Sequence, residues 1–359
     1  MKNNLEKTYR NRRVLITGHT GFKGSWLTVF LKELGASVYG YALEPENENA
    51  LFTIINGDRL LSSEIGDIRD FEHLNRFFSE IRPEIVFHLA AQPLVITSYQ
   101  KPRETYETNV MGTVNICECV RQSDSVRSFL NVTTDKVYKN LEWEWGYRET
   151  DVLDGFDPYS NSKSCSELVT GSYKRAFFEK AGIPVSTARA GNVIGGGDYA
   201  ENRIIPDCVR AAAAWEKIII RNPRSIRPFQ HVLEPLYAYL LIAAKQLDNP
   251  ELAGSYNVGP EDSDCISVGD LAEFFCKAWG EGAEWESRET EGPHEAARLK
   301  LDCSRIRSRI GWKPRFTISE AINETVEWYR AYEACRNSDD RADAMTELMK
   351  KQIRKYMGD

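Results

Sequence analysis

Nothing in this sequence is apolar for long enough to cross a bilayer. The most hydrophobic helical stretch, near Leu236 to Ala244, falls well short of the roughly 20 residues a span requires. The polar, basic opening MKNNLEKTYRNRR leads only to the short run Val14 to Ile16, which ends at Thr17 and Gly18, so no secretory core is expected. The eight cysteines are scattered; only Cys117 and Cys119 are close and no CxxC pair occurs. That pattern argues against a disulfide framework or a zinc site and for reduced, mostly buried thiols in a cytoplasmic protein with no metal. An excess of positive charge is also missing: 46 Lys and Arg stand against 53 Asp and Glu, a net charge of -7. Broad contact with nucleic acid is therefore excluded, and any phosphate must be bound by a local cluster. No repeat or low-complexity segment is present.

The 359 residues, 42% of them hydrophobic, can build a large core and about two domains. Short β-branched runs alternate with helical periodicity through the first half. Strands are predicted at Arg13 to Thr17, Ser37 to Tyr41, Ile85 to Leu89, Phe129 to Thr133 and Val185 to Ala188. Between them lie helices at Ser25 to Leu34, Phe71 to Ile81, Thr105 to Arg121 and Tyr159 to Ala181. This order implies right-handed βαβ units and an α/β, doubly wound parallel sheet of the Rossmann type. After Gly191 the texture changes to glycines and prolines, although Val232 to Gln246 is helical again and Ser255 to Val258 strand-like. Residues 1–191 and 229–262 are thus expected to form a dinucleotide-binding domain, and 192–228 and 263–359 a smaller substrate domain. Asp343 to Lys355 reads as a solvated terminal helix without chemistry.

Gly18, Gly21 and Gly24 fall between a strand and a helix, where close backbone approach and free N–H groups suit a dinucleotide pyrophosphate. Thr20, Phe22 and Lys23 lie in the same loop and are expected to face the ligand. Glu44, about 20 residues on, is placed to meet a ribose or to be an ordinary loop carboxylate; no arginine near the second strand's end welcomes a 2′-phosphate, which favours NAD. Asp67 is placed for an adenine contact or for capping the helix that begins at Phe71. Tyr159 and Lys163 are four apart, on one helical face, so that an ammonium stands beside a phenol. Bringing a phenol from about 10 to neutrality needs roughly 4 kcal/mol, which Lys163 and an oxidised nicotinamide could supply. A diphosphate would find its cations among Arg203, Arg210, Arg221, Arg224 and Arg227.

The succession GHTGFKG, Gly66-Asp67, His88-Leu89-Ala90-Ala91, Asn109, Thr134-Asp135-Lys136, Tyr159-Ser160-Asn161-Ser162-Lys163 and Arg189-Ala190-Gly191-Asn192 resembles the extended short-chain dehydrogenase/reductases. Within them it is most similar to the CDP-glucose 4,6-dehydratases, and the likeness continues through Arg221-Asn222-Pro223 to Gly311-Trp312. The resemblance implies NAD as cofactor, held also by Asp67, Ile68, Leu89, Ala90, Ala91, Thr133, Tyr159, Lys163 and Asn192. It implies CDP-glucose as substrate, met by Asn192, Arg203, Arg210, Arg221, Arg227 and His231, the last more structural than catalytic. Tyr159 and Thr134 would act at the sugar O4, Asp135 as the acid at C6, and Lys136 as base or enolate stabiliser at C5, where many relatives carry Glu. A homodimer or dimer of dimers is implied, built on the helices Thr105 to Arg121 and Tyr159 to Ala181. An epimerase or reductase with the same Tyr and Lys, and a non-catalytic NAD-binding regulator, are the rival readings.

Overall fold

In the computed structural model, residues 2–288 and 298–358 are described. Seven strands form the central sheet: β1 (Arg13–Thr17), β2 (Ser37–Ala42), β3 (Ser62–Ile65), β4 (Ile85–His88), β5 (Ser128–Thr134), β6 (Val185–Ala190) and β7 (Ser255–Val258). Their spatial order is β7-β6-β5-β4-β1-β2-β3, and every pair is parallel. The strand order reverses between β1 and β4, which opens a crevice at the carboxyl ends of those strands. The doubly wound expectation is thus met.

Helices cover both faces, and the residues say why. In β1, Val14 and Ile16 enter the core that holds Trp26 and Phe30, while Leu15 enters the opposite core with Leu74, Phe78 and Ile116. A strand buried on both sides reads as one apolar run, as in a parallel sheet. β3 was absent from the sequence expectation because Ser-Ser-Glu-Ile is an edge strand, part exposed and polar. The helix Phe71–Ile81 ends at Arg82, in the left-handed conformation, one residue before Pro83. Residues 102–122 and 158–181 are each one continuous helical run with a π-helical turn inside, at Glu107–Met111 and Lys174–Phe178.

Past β6 the chain makes short pairings. Val193–Ile194 lies parallel to Gln230–His231, Ile226–Arg227 antiparallel to Ile266–Ser267, and Ile218–Ile220 parallel to Trp285–Ser287. Helices at Ile204–Ala213, Leu233–Asp248, Val268–Trp279, Ser304–Ile310, Ile318–Cys335 and Arg341–Met357 accompany them among the described residues. The last corrects the reading of a solvated terminal helix. Met345, Met349, Ile353 and Tyr356 recur at helical spacing and are buried, and Tyr356 donates to Glu234 at 2.6 Å. Its polar face, which dominates the composition, hid an apolar stripe.

Among the described residues no helix is long and apolar enough to cross a membrane. All eight cysteines are free, and Cys117, Cys119, Cys208 and Cys303 are buried.

Candidate active site

The crevice is built from four strand ends. β1 runs into Gly18, whose positive φ and contact with the backbone of Ala90 admit no side chain: a Cβ would stand 2.8 Å from Ala90 N. At Gly24 a Cβ would fall 2.2 Å from Gly18 O, so the helix Phe22–Glu33 starts hard against the turn. The first N–H groups of a helix have no partner within it, and a helix that starts at a glycine turn offers them as a cradle suited to an anion. The fit to a dinucleotide pyrophosphate is therefore steric as well as electrostatic. Thr20 is tied by its hydroxyl to Leu43 O at 2.9 Å. His19 turns inward instead, hydrogen-bonded to Ser63 at 2.7 Å, and burial lowers its pKa to about 4.

The loop after β4 is held from behind. Thr17 bridges His88 Nδ1 at 2.7 Å and Ala90 N at 3.3 Å, and Asn109 holds Gln92 through bonds of 2.8 and 3.0 Å. Leu89, Ala90 and Ala91 are thereby fixed beside Gly18. Asn109 also donates to Ser162 at 2.9 Å, tying this loop to the helix Pro158–Tyr173. That helix is capped by Asp157, which accepts from Ser160 N at 2.9 Å, with Pro158 in its first turn.

Tyr159 and Lys163 project from it beneath the end of β5. Burial pushes the Tyr159 phenol up to about 12; the Thr134 hydroxyl bonded to it pulls down, Asp135 pushes up, and Arg203 pulls down. The sequence assigns the acidification to Lys163 together with an oxidised nicotinamide; among the protein's own cations the one prominent at the phenol is Arg203. Lys163 is itself buried and donates to Val132 O at 3.1 Å; burial first, then Lys23, lowers its pKa to about 8. The phenol thus begins less acidic than in water, so nearby positive charge has more to supply than for a solvated tyrosine.

Asp135 follows β5 and is 1% exposed. One carboxylate oxygen accepts from Thr134 at 3.0 Å; the other has no hydrogen-bond partner among the described residues. Burial raises its pKa, against the pull of Lys136, Thr134, Arg227 and Lys23. Such an acid holds its proton more readily than a surface aspartate. Lys136 is half-buried, its N–H on Thr134 Oγ1 at 3.4 Å, and it forms no ion pair among the described residues. The carboxylate on which it acts is its neighbour Asp135.

The cationic residues divide. Lys23, Arg203 and Arg227 converge on Asp135 and Tyr159, and burial with Arg203 lowers the Lys23 pKa to about 8. Asp198, not anticipated from sequence, holds Arg203 at 2.9 Å. Arg210 instead pairs with Asp207 and donates to Tyr199 O at 3.2 Å, and Arg221, exposed, acts on that same Asp207. These two and the exposed Arg224 form an outer group. His231 is fully buried between Trp26 and Phe316, and burial lowers its pKa to about 3; it is a packing residue with no surface for substrate. Asn192 is half-buried at the end of β6, its carbonyl taking Gln230 N at 2.9 Å.

Two other expectations shift. Asp67 neither caps the helix nor stands unpartnered: Asp70 caps it, and Asp67 is clasped by Arg69 at 2.9 and 3.0 Å, with Ile68 buried beside it. Thr133 spends its hydroxyl on Glu167 at 2.5 Å, behind the crevice. Glu44 is exposed just beyond β2.

The profile of the family described as GDP-mannose 4,6 dehydratase matches residues 15–325. The chain is 46% identical over 355 residues, 97% of each protein, to the CDP-glucose 4,6-dehydratase of Salmonella typhimurium. It is 28% identical to a dTDP-glucose 4,6-dehydratase of Xanthomonas campestris, over 88% of this chain and 92% of that one. Among solved structures, the UDP-glucose 4-epimerase of Thermotoga maritima aligns with TM-score 0.78 and 24% identity, covering 89% of this chain and 98% of the other. The dTDP-glucose 4,6-dehydratase of Bacillus anthracis, in complex with NAD, aligns with TM-score 0.76 and 22% identity over 90% and 98%. With its reversed-order sheet, its glycine turn and the Tyr159 and Lys163 pair below it, the chain belongs to the GDP-mannose 4,6 dehydratase family of extended short-chain dehydrogenase/reductases.

Proposed function

We propose that the protein is an NAD-dependent CDP-glucose 4,6-dehydratase, converting CDP-glucose to CDP-4-keto-6-deoxyglucose and water. One observation carries the reading beyond a simple sugar oxidoreductase. A buried carboxyl, Asp135, with one oxygen unbonded and its pKa raised, stands beside the Tyr159 and Thr134 pair, and Lys136 follows it. Oxidation at C4 needs the phenol alone; a buried acid next to it is what departure of a C6 hydroxyl needs. The near full-length similarity to a protein named for CDP-glucose supports the choice of nucleotide.

NAD in the glycine cradle would supply the hydride chemistry that links C4 and C6. Tyr159, aided by Thr134, accepts the O4 proton as a phenolate whose charge Lys163 and Arg203 stabilise, and becomes a neutral phenol. The 4-ketone makes the C5 proton acidic, and Lys136 either takes that proton as base or stands as the cation beside the enolate while another group takes it. Asp135 gives its proton to the C6 hydroxyl as water leaves. The glycine cradle with Lys23, Leu89, Ala90, Ala91 and Asn192 would hold the dinucleotide, and Arg203 and Arg227 the substrate diphosphate.

Residues 1–191 with 229–262 would act as the cofactor domain and the remainder as the substrate domain. The part of the latter at 289–297, with Met1 and Asp359, lies outside the described residues. A homodimer through the two long helical runs is supported by exposed Met111, Leu168 and Phe177 on them, and a cytoplasmic site by the free thiols. The test is incubation with CDP-glucose and NAD. Loss of one water by mass with no net NADH is expected; a diastereomer of unchanged mass would make the protein an epimerase, and an unchanged sugar a binding module.

A further inference from the structure

Tyr159, Lys163 and Glu167 recur every fourth residue, so one helical face carries the phenol, the ammonium and a carboxylate into the protein. Glu167 is one of the most deeply buried charges among the described residues, 2% exposed, and faces Arg189 of β6, 3% exposed, at 2.9 Å. Four donors reach its two oxygens: Thr133 of β5 at 2.5 Å, Thr187 of β6 at 2.8 Å, and two nitrogens of Arg189 at 2.9 and 3.0 Å. Arg189 extends past it, donating to the Tyr138 hydroxyl at 2.8 Å and lying over that ring. Tyr138 closes the turn Asp135–Val137 and donates to Asn257 of β7 at 2.6 Å.

We propose that Glu167 and Arg189 are positioning residues, a buried ion pair that locks the helix bearing Tyr159 and Lys163 to the turn bearing Asp135 and Lys136. The inference rests on the dehydratase reading. A carboxylate whose lone pairs are nearly all engaged cannot rotate, so the register of the helix against β5 and β6 is fixed. Well-packed apolar residues would stabilise such a site as well or better, which makes stability alone a poor reason for two charges here. Their charge also acts on Lys163. The charged and titratable groups that act on or feel that ammonium are Glu167 from its own helix, Lys23 from the helix after the glycine turn and His88 from β4; burial and Lys23 lower its pKa, and Glu167 raises it. By Coulomb's law the guanidinium paired with Glu167 should offset part of that last effect, so that the two together bias the charge state of Lys163.

The balance gives opposite signs to two variants. Glu167→Gln leaves Arg189 uncompensated, and the alkaline limb of the kcat profile with CDP-glucose and NAD should move down by about one pH unit. Arg189→Gln leaves Glu167 uncompensated, and the limb should move up by a similar amount. The double variant should return the limb toward the wild-type position while kcat remains at least tenfold reduced, because the clamp is gone. Limbs that shift in one direction, or stay fixed while activity falls, would overturn the inference and leave the pair merely structural. Should either single variant fail to fold, Thr187→Val removes one donor and no charge: kcat several-fold lower with NAD affinity unchanged supports the clamp, and unchanged kcat refutes it. A wild-type protein that does not dehydrate CDP-glucose would instead sink the functional reading itself.

Discussion

The chain before Gly191 and the chain after it position their polar groups by different means. Before Gly191, reactive side chains leave parallel strand ends or one face of a long helix, and backbone geometry dictates where they point. Gly18, Ala90, Asp135 and Tyr159 meet because β1, β4 and β5 end side by side. After Gly191, the arginines at 221, 224 and 227, each three apart, are carried by a two-residue strand and a turn, and they part company. Arg227 turns toward Asp135, while Arg221 stays exposed near Asp207. Spacing in sequence becomes proximity in space only where a regular element fixes direction.

The sharpest way to break this comparison is at the phenol. Tyr159→Phe should lower kcat on the order of 10³-fold while nucleotide affinity stays within about threefold, as measured by steady-state kinetics and calorimetry. A variant retaining full turnover would remove the central assignment from the strand-end cluster.

That cluster was largely legible beforehand, for a physical reason. A glycine turn between strand and helix, and a Tyr and Lys four apart, have few alternative uses once the βαβ order is set. The sheet was equally readable except at β3, whose polar edge residues carry no apolar signal. What escaped was direction and pairing. Nothing in Arg-Asn-Pro-Arg-Ser-Ile-Arg says which arginine turns inward, and Asp198, the partner of Arg203, lies five residues off in a glycine-rich loop. Glu167 could have been found, since it continues the Tyr159 and Lys163 spacing by one more turn. The terminal helix misled because its charges outnumber the four apolar positions that decide its burial.

A somewhat smaller effect should follow at the proposed acid. Asp135→Asn is expected to slow dehydration by about 10² to 10³-fold while C4 oxidation persists, so reduced-nucleotide absorbance should accumulate during turnover. Absence of that absorbance together with wild-type dehydration would clear Asp135 of the role. In the later region, Met349→Ala should cost about 2 to 4 kcal/mol in denaturant unfolding, because its side chain is fully buried. A change under about 0.5 kcal/mol would restore the solvated helix. The arginines sharpen the contrast last: Arg227→Ala should raise the KM for CDP-glucose about tenfold or more, and Arg221→Ala less than about threefold. Equal effects would mean that the outer group also grips the substrate.

The most direct test of the account follows one hydrogen. With CDP-glucose deuterated at C4 and unlabelled NAD in ordinary water, the deuterium should appear at C6 of the same sugar molecule, in a product lighter by one water. Deuterium lost to solvent, left at C4 of an epimer, or found on released NADH would contradict an internal hydride cycle at these strand ends.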